Sequence, residues 1–446
     1  MTKRLRLAGR SLRVALLLAI STTLPYRAEP ASPGIFPRKH PKSAADDSSQ
    51  AKGVSASQPP AFSVPVEPLG FYPPGNFYLG MRQSLVSLDF LDENRLLFSF
   101  RAPGLIHRTN PTDDEERQIR VEVLALPQGT VETEALWTLH DQERYLWMLH
   151  DGHFLLRDGN TLKEGNAKLE LRPLLQFPGP ILWLEMDPAQ QYLVTDSNEP
   201  ADLKPQKGQV ESPSTAEATV STDQVSGNGN QKDIVLRILE RVSGRVMLVS
   251  RVRMTVHLPI NSAGYIETLR GNGRDWLLNL NYFTGGSKVL GKLESSCQPP
   301  IEFVSHEEAL VNTCTPQGGR QLVAFSLDGR RLWDAVSPPT QIWPLLVASP
   351  SGTRLARETL SIDHPIDDFA HPLDAGEIKG QLVEVFDSIR GALALRAPAS
   401  PVLDGGGNVA FSPSGKRVAI LNDGAIQVYE LPAPQPGAPE TKTTAH

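Results

Sequence analysis

The chain lacks most of the features that would narrow its function at once. Only two of its 446 residues are cysteines, and its formal net charge is -6. A net charge this close to zero creates no positive surface potential that would attract phosphates, so we expect no nucleic-acid partner. Phosphate-binding glycine loops and the G-x-S-x-G element of hydrolases do not occur in the sequence. The sequence therefore predicts no catalytic residue, no metal ligand and no cofactor.

Long hydrophobic runs are also missing. The chain begins with several basic residues, followed by the short apolar run Val14 to Ile20. A spanning helix needs about 20 apolar residues, so this layout favours a secretory signal over residues 1–27, with an uncleaved amino-terminal anchor as the alternative. No cysteine follows that could carry a lipid. We expect a periplasmic or secreted protein with no membrane span after cleavage.

The two cysteines, Cys297 and Cys314, predict one disulfide in an oxidising compartment. The segment between them has room for two short strands and a turn, so we expect the sulfurs to meet across neighbouring strands. Two buried free thiols are the alternative.

Proline and glycine are plentiful, at 38 and 35 residues, which predicts short strands joined by many turns. Several segments carry too little apolar surface to offset the entropy of ordering. They are a Pro/Ser-rich disordered spacer at 28–68, two insertions at 197–232 and 361–380, and a disordered tail at 432–446. The folded part is then 69–431.

One pattern recurs seven times in the folded part: a polar turn followed by a strand of apolar residues. These units begin at Phe90, Leu139, Met186, Leu269, Val304, Ala348 and Phe411. After each unit come two short segments joined by a turn, in which apolar residues alternate with polar ones, as in LVAFSLDGRRLW from Leu322. Apart from the two insertions, successive units begin about 40 to 50 residues apart, which is typical of propeller blades. We therefore expect an all-β, seven-bladed β-propeller. Six or eight blades are near alternatives, and a pair of β-sandwiches is the competing fold.

Two of these units carry a family resemblance. FSPSGKRVAI from Phe411 and ASPSGTRLAR from Ala348 resemble the S-P-D-G-K element of WD40-like and TolB-type propellers, and LVAFSLDGRRLW resembles a quinoprotein-type blade. Both clear copies read SPSG, and the G-H and W-D dipeptides of intracellular WD40 repeats are missing. The resemblance implies a propeller fold for about residues 80 to 431 and no particular ligand.

Some polar clusters are candidate sites. One segment contains Asp363, His364, Asp367, Asp368, His371 and Asp374, and a second group contains His140, Asp141, His150, Asp151 and His153. Carboxylates and imidazoles ligate divalent metals, but we expect a solvated loop for the first group and blade-edge turns for the second. The glycine run at 404–408 precedes a strand, so we expect a plain loop there. We expect packing between blades for Trp137, Trp147, Trp183, Trp276, Trp333 and Trp343.

The sequence thus favours an exported, monomeric binding scaffold for an unknown protein or glycan. The alternative is a propeller enzyme, either quinoprotein-like or metal-assisted. Carboxylates clustered in the channel would favour the enzyme, and an apolar, aromatic-rimmed end face would favour the binder. We further expect Asn76 to Met81 to pair beside Ala425 to Leu431 and close the ring.

Overall fold

A computed structural model of the protein describes residues 58–73, 86–102, 117–139, 144–199, 233–316, 318–365, 376–403 and 405–434. The expected signal at 1–27 and the segment from Asn76 to Met81 lie outside these ranges. The described residues form strands, apart from one 3-10 helix at Glu67–Leu69. Within these ranges, no helix has the length and apolarity that crossing a bilayer requires.

Three four-stranded antiparallel sheets follow one another between Val86 and Val252. Blade 1 contains β2 (Val86–Phe90), β3 (Arg95–Arg101), β4 (Arg117–Ala125) and β5 (Thr130–Leu139). Blade 2 contains β6 (Leu146–Met148), β7 (Phe154–Asp158), β8 (Thr161–Gly165) and β9 (Leu171–Gln176). Blade 3 contains β10 (Ile181–Met186), β11 (Tyr192–Glu199), β12 (Asp233–Glu240) and β13 (Val246–Val252).

Four further sheets complete the set of seven. Blade 4 contains β14 (Gly264–Arg270), β15 (Asp275–Tyr282) and β16 (Ser287–Glu294). Blade 5 contains β17 (Ile301–Phe303), β18 (Glu308–Cys314), β19 (Arg320–Ser326) and β20 (Arg331–Ser337), and blade 6 contains β21 (Gln341–Ala348), β22 (Arg354–Ile362), β23 (Ile378–Asp387) and β24 (Leu393–Ala399). Blade 7 contains β25 (Val409–Phe411), β26 (Arg417–Asn422), β27 (Ala425–Glu430) and β1 (Phe62–Pro65).

The seven sheets form a closed ring, because each pair of neighbouring blades shares an apolar cluster. Ala356 of blade 6 and Phe411 of blade 7 belong to one cluster, and Leu421 of blade 7 and Phe98 of blade 1 belong to the next. Five more clusters join the remaining neighbours in the same way. The predicted seven-bladed β-propeller is therefore confirmed, with the first strand of each regular blade nearest the channel.

Blade 4 differs from the others because its innermost strand is irregular. The chain approaches β14 through Pro259 and Ile260, where Ile266 N–H donates to the Pro259 carbonyl and Ile260 bridges Tyr265. Proline has no N–H for a ladder, so this inner segment forms no regular strand. The first turn of blade 4 therefore lies at Asn261. The predicted unit at Leu269 was wrong, because it covers the next turn, between β14 and β15.

The second predicted unit was also misplaced. Leu139 ends β5 of blade 1, and the first turn of blade 2 runs from Leu149 to His153, where the Leu149 N–H donates to the His153 carbonyl. The sequence reading missed β9 because Pro173 interrupts its apolar pattern. The number of blades is unaffected.

The ring closes within blade 7, but with a different strand from the expected one. β1 pairs antiparallel with β27, with Phe62 opposite Val428 and Pro65 opposite Ala425. Because β26 occupies the other edge of β27, Asn76 to Met81 cannot pair there, and that prediction was wrong. The predicted spacer at 28–68 also extended too far, since its last residues form this strand. Alternation of exposed Ser63 with buried Val64 is the pattern of a half-buried outer strand.

The connections between strands divide the molecule into two faces. Turns from the first to the second strand and from the third to the fourth lie on one face, which we call the turn face. Connections from the second to the third strand leave the opposite face, which we call the insertion face. The three longest of these follow Arg101, Glu199 and Ile362 in blades 1, 3 and 6. The predicted insertions at 197–232 and 361–380 were drawn slightly too wide, since β11 continues to Glu199, β22 continues to Ile362 and β23 begins at Ile378; the chain leaves β11 and β22 on the insertion face.

Candidate functional site in the central channel

Three acidic residues occupy equivalent positions on the inner strands of alternate blades. Asp89 lies on β2, Glu185 on β10 and Glu302 on β17. Each lies two residues before the residue whose N–H closes the first turn of its blade, namely Leu91, Asp187 and Val304. Because the inner strands surround the channel, equivalent positions lie at the same level of the ring. The propeller therefore gathers three carboxyl groups at one level, which we call the channel carboxyls.

One cation lies among them. Arg144 precedes β6 of blade 2, and its charge lowers the pKa of all three channel carboxyls. Its Nε donates to the Leu146 carbonyl at 3.1 Å, and its guanidinium carbon lies 5.3 Å from the centre of the Trp147 ring. The hydrogen bond and the aromatic ring hold the guanidinium in place. Once all three carboxyls are ionised their charge outweighs that of Arg144, so this level of the channel becomes negative.

The channel carboxyls have graded acidities. Poor hydration inside the ring raises the pKa of Asp89 to about 6, opposed by the Ser87 hydroxyl, whose oxygen lies 2.6 Å from Oδ2, and by Arg144. The same cause raises the pKa of Glu185 to about 7, opposed by Trp183 and Arg144. Desolvation by the surrounding ring and then the charge of Glu185 raise the pKa of Glu302 to about 8, although its side chain is exposed to the channel. Near neutral pH Asp89 is therefore mostly ionised, Glu185 is about half ionised and Glu302 is mostly protonated, so an approaching cation would displace protons from the two glutamates.

An aromatic pair lies beside the carboxyls. Trp183 of β10 stacks on His257 of the irregular inner segment of blade 4, with ring centres 3.8 Å apart. The backbone N–H of Val256, next to His257, donates to Oδ2 of Asp196 at 2.7 Å. This buried carboxyl thus fixes the start of the irregular segment, and burial raises its pKa to about 6. The stacked rings provide a flat apolar wall next to Glu185.

The Asp/His segment is only partly described. His364 Nδ1 lies 2.6 Å from Asp363, whose carboxylate also pairs with Lys379 at 3.0 Å. Asp367, Asp368, His371 and Asp374 lie outside the described residues. Among the residues that the structure does describe, no group of three or more acidic, histidine or cysteine side chains is arranged to hold a metal ion.

The histidine group of blade 2 lies at a turn, as expected. His153 Nδ1 is 3.1 Å from Asp151, and the His150 N–H donates to Gln190 Oε1 of blade 3 at 2.7 Å. His140 and Asp141 lie outside the described residues. The contact between His153 and Asp151 lies within the turn, and the hydrogen bond to Gln190 joins the turn to blade 3.

The tryptophans pack largely as predicted. Trp137, Trp147 and Trp333 are buried in the clusters that join neighbouring blades. Trp276 donates its indole N–H to the Ser295 carbonyl at 3.1 Å, and nothing is described for the Trp343 side chain. In the glycine run, Asn408 is buried and donates to Gln381 Oε1 at 2.9 Å, which makes it a packed loop.

The disulfide between Cys297 and Cys314 is confirmed, with Cα atoms 5.6 Å apart. Its placement differs in part from the expectation. Cys314 ends β18, whereas Cys297 lies in the connection between β16 and β17. The two short strands and the turn expected between the cysteines are β17, β18 and their connection.

The channel carboxyls were missed by sequence reasoning. Asp89 and Glu185 each come one residue before a recognised turn unit, and Glu302 comes two residues before another. Aligning the units on their turns and comparing the residues that precede them would have shown this acidic position.

Comparison with known proteins shows no family for this chain. No protein-family model matches the chain, and no curated protein matches it. Among solved structures, an acylaminoacyl peptidase from Pyrococcus horikoshii aligns at 9% identity over 79% of this chain and 52% of its own, with a TM-score of 0.46. This chain thus spans about half the length of that peptidase.

Two further structures cover the same share of the chain. Sqt1 from Chaetomium thermophilum, bound to the N-terminus of the ribosomal protein L10, aligns at 12% identity over 79% of this chain and 98% of its own, with a TM-score of 0.41. The β-propeller domain of the Trilobed protease from Pyrococcus furiosus aligns at 7% identity over 79% and 94%, with a TM-score of 0.40. At these identities the likenesses indicate neither a ligand nor an activity for this chain.

Proposed function

We propose that this protein is an exported binding scaffold that takes a basic group of a protein ligand into its central channel. The observation that carries the proposal is the convergence of Asp89, Glu185 and Glu302 at one level of the ring. A lysine, an arginine or a free amino terminus fits a channel that becomes negative as its acids ionise. Most glycans are neutral or acidic, so the charge favours a protein over a glycan.

The experiment is selection from a displayed library of random heptapeptides. We expect enrichment of peptides that contain lysine or arginine, with affinity rising between pH 6 and pH 8, because a cation binds best to ionised carboxyls. The variant Asp89→Asn/Glu185→Gln/Glu302→Gln should weaken binding of these peptides at least tenfold. The matched control removes three exposed acids on the outer surface, Glu67→Gln/Glu132→Gln/Glu294→Gln, and should change little. Equal binding by both triple variants would contradict the proposal.

The channel carboxyls are also the feature that we expected to favour the enzyme alternative, so that alternative is kept. Carboxyls with a pKa of about 6 at Asp89 and about 8 at Glu302 share one channel, and such a pair can divide the roles of general base and general acid. The test is incubation with a panel of peptide, ester and glycoside substrates. Turnover by the native protein that is lost in Glu302→Gln would favour the enzyme over the binder.

A further inference from the structure

We propose that Cys297 and Cys314 form a redox-active pair that exchanges with a dithiol partner, and that Arg320 stabilises Cys314 as the leaving thiolate. The disulfide lies on the insertion face, at the turn between β18 and β19 of blade 5. Cys314 and Arg320 stand opposite each other in the ladder of these two strands. Both cysteines are partly exposed, so a partner thiol can approach them.

Arg320 is placed for this role. Its Nη1 lies 2.6 Å from Cys314 Sγ and 3.3 Å from Cys297 Sγ. The guanidinium is partly buried, and burial lowers the pKa of Arg320 with no acidic neighbour to oppose it. Among the described residues, no carboxylate pairs with this arginine. Within the described part of the oxidised protein this poorly hydrated cation has no anionic partner, and reduction would supply one.

The charge also determines which sulfur leaves. A thiolate of the dithiol attacks Cys297 Sγ, the disulfide bond breaks, and its electron pair departs on Cys314 Sγ, which is the nearer sulfur to Arg320. The second thiol of the dithiol loses its proton to water and displaces Cys297 from the mixed disulfide. The protein disulfide gains two electrons, and the dithiol is oxidised to its own disulfide. A sulfur next to a fixed cation is the better leaving group.

Opening the bond would leave the surrounding segment in place. The buried Ser295 hydroxyl accepts the N–H of Cys314 at 2.9 Å and that of Cys297 at 3.4 Å. The Ser296 N–H donates to the Cys314 carbonyl at 3.1 Å. These bonds hold the connection against β18 without help from the sulfurs. Reduction and reoxidation are therefore a local and reversible change.

The experiment is a redox titration of the folded protein against dithiothreitol buffers, with free thiols counted by alkylation and a gel shift. Relative to the native protein, Arg320→Gln should favour the oxidised form about tenfold, equivalent to about 30 mV for two electrons. Arg320→Lys should restore part of the difference because it keeps the charge. Arg331→Gln is the control, since Arg331 pairs with Asp334 at 3.0 Å on the neighbouring strand β20. It should behave like the native protein.

Two further measurements separate a redox role from a structural one. In the reduced protein, the alkylation rate of Cys314 should titrate with a pKa well below the ordinary thiol value of about 8.5, and Arg320→Gln should abolish that shift. Cys314→Ser, treated with the symmetrical disulfide of a monothiol, should form a stable mixed disulfide at Cys297, because the Cys297 thiolate displaces one monothiol and no second cysteine is present to displace the other. An equilibrium within twofold for the native protein and Arg320→Gln, together with an ordinary Cys314 pKa, would overturn the proposal. Thermal melting of each variant confirms that it is folded.

Discussion

Glu199 and Arg237 form a two-point ion pair at the place where the longest connection of blade 3 leaves the ring. Arg237 Nη1 lies 2.5 Å from Glu199 Oε1, and Nη2 lies 2.9 Å from Oε2. Both side chains are buried, and the Ser197 hydroxyl lies 2.6 Å from Oε1 of the same carboxylate. The pair joins β11 to β12 just before their ends separate. The connection between β11 and β12 therefore starts from two strands that this ion pair holds together.

We expect Glu199→Gln to destabilise the protein by about 3 to 5 kcal/mol, because it leaves a buried guanidinium without its counter-charge. Urea denaturation measures the effect. The control is Asp92→Asn in the exposed pair with Arg95, whose atoms are 2.7 Å apart, and it should cost less than about 1 kcal/mol. Similar losses in the two variants would show that burial of the first pair is unimportant.

The closing strand β1 yields a second prediction. Val64→Asp should lower the melting temperature and expose β27 to protease, because Val64 is buried in the cluster between blades 7 and 1. We expect a cost of about 3 kcal/mol, as for other charges placed in a core without a partner. Ser63→Asp on the same strand is the control, since Ser63 is exposed. If both variants melt like the native protein, β1 does not hold the ring together.

Glu358 yields a prediction about pH. It is buried in blade 6, accepts a hydrogen bond from Gln381 Nε2 at 2.9 Å, and burial raises its pKa to about 8. Between its ordinary pKa of 4.5 and about 8 the unfolded chain has lost this proton while the folded chain keeps it, so stability falls as pH rises. Above pH 8 this contribution no longer changes.

We therefore expect Glu358→Gln to stabilise the protein at pH 8 by about 2 kcal/mol and to flatten its stability between pH 5 and pH 8. Urea denaturation at several pH values measures both effects. Glu294→Gln on the exposed end of β16 is the control and should leave the native pH profile intact. An unchanged slope in Glu358→Gln would show that this carboxyl ionises normally.

Arg144 supports a fourth prediction, on the channel carboxyls. Its charge opposes the upward shifts of Asp89, Glu185 and Glu302, so Arg144→Gln should raise the pKa of all three. Carbon NMR of isotope-labelled side-chain carboxyls measures this directly. Arg144→Lys keeps a charge near the same place and should shift the values less. If none of the three pKa values changes, the charge of Arg144 does not act on these carboxyls.

The sequence predicted the ring because its strongest signal repeats. Each first turn carries a polar residue such as Asp187 or Ser412, which accepts backbone N–H groups from the turn, and a largely buried strand follows except in blade 4. Blades 5, 6 and 7 follow this pattern closely, so their units were placed correctly. In blade 4 the inner segment contains Pro259, and the turn at Asn261 is one of the shortest. The turn after Leu269 has the more regular pattern, so the sequence predicts the unit there instead.

The closing strand and the site could not be predicted for a different reason. Phe62 to Pro65 contains only two apolar residues besides its proline and follows a Pro/Ser-rich stretch, so nothing local distinguishes it from a spacer. It becomes a strand because β27 offers an unpaired edge almost the whole chain away. The acidity of Glu302 likewise depends on Glu185 and Arg144 from other blades. Both properties arise only when the ring has formed.

The pairing of β1 with β27 also orders events in time while the chain is synthesised. β1 is made before the rest of the ring and has no partner until β27 follows, so the ring stays open until the last blade has been made. Contacts so distant along the chain form late and slowly. The propeller therefore exists first as an incomplete ring of six blades, and it closes only when its final blade arrives.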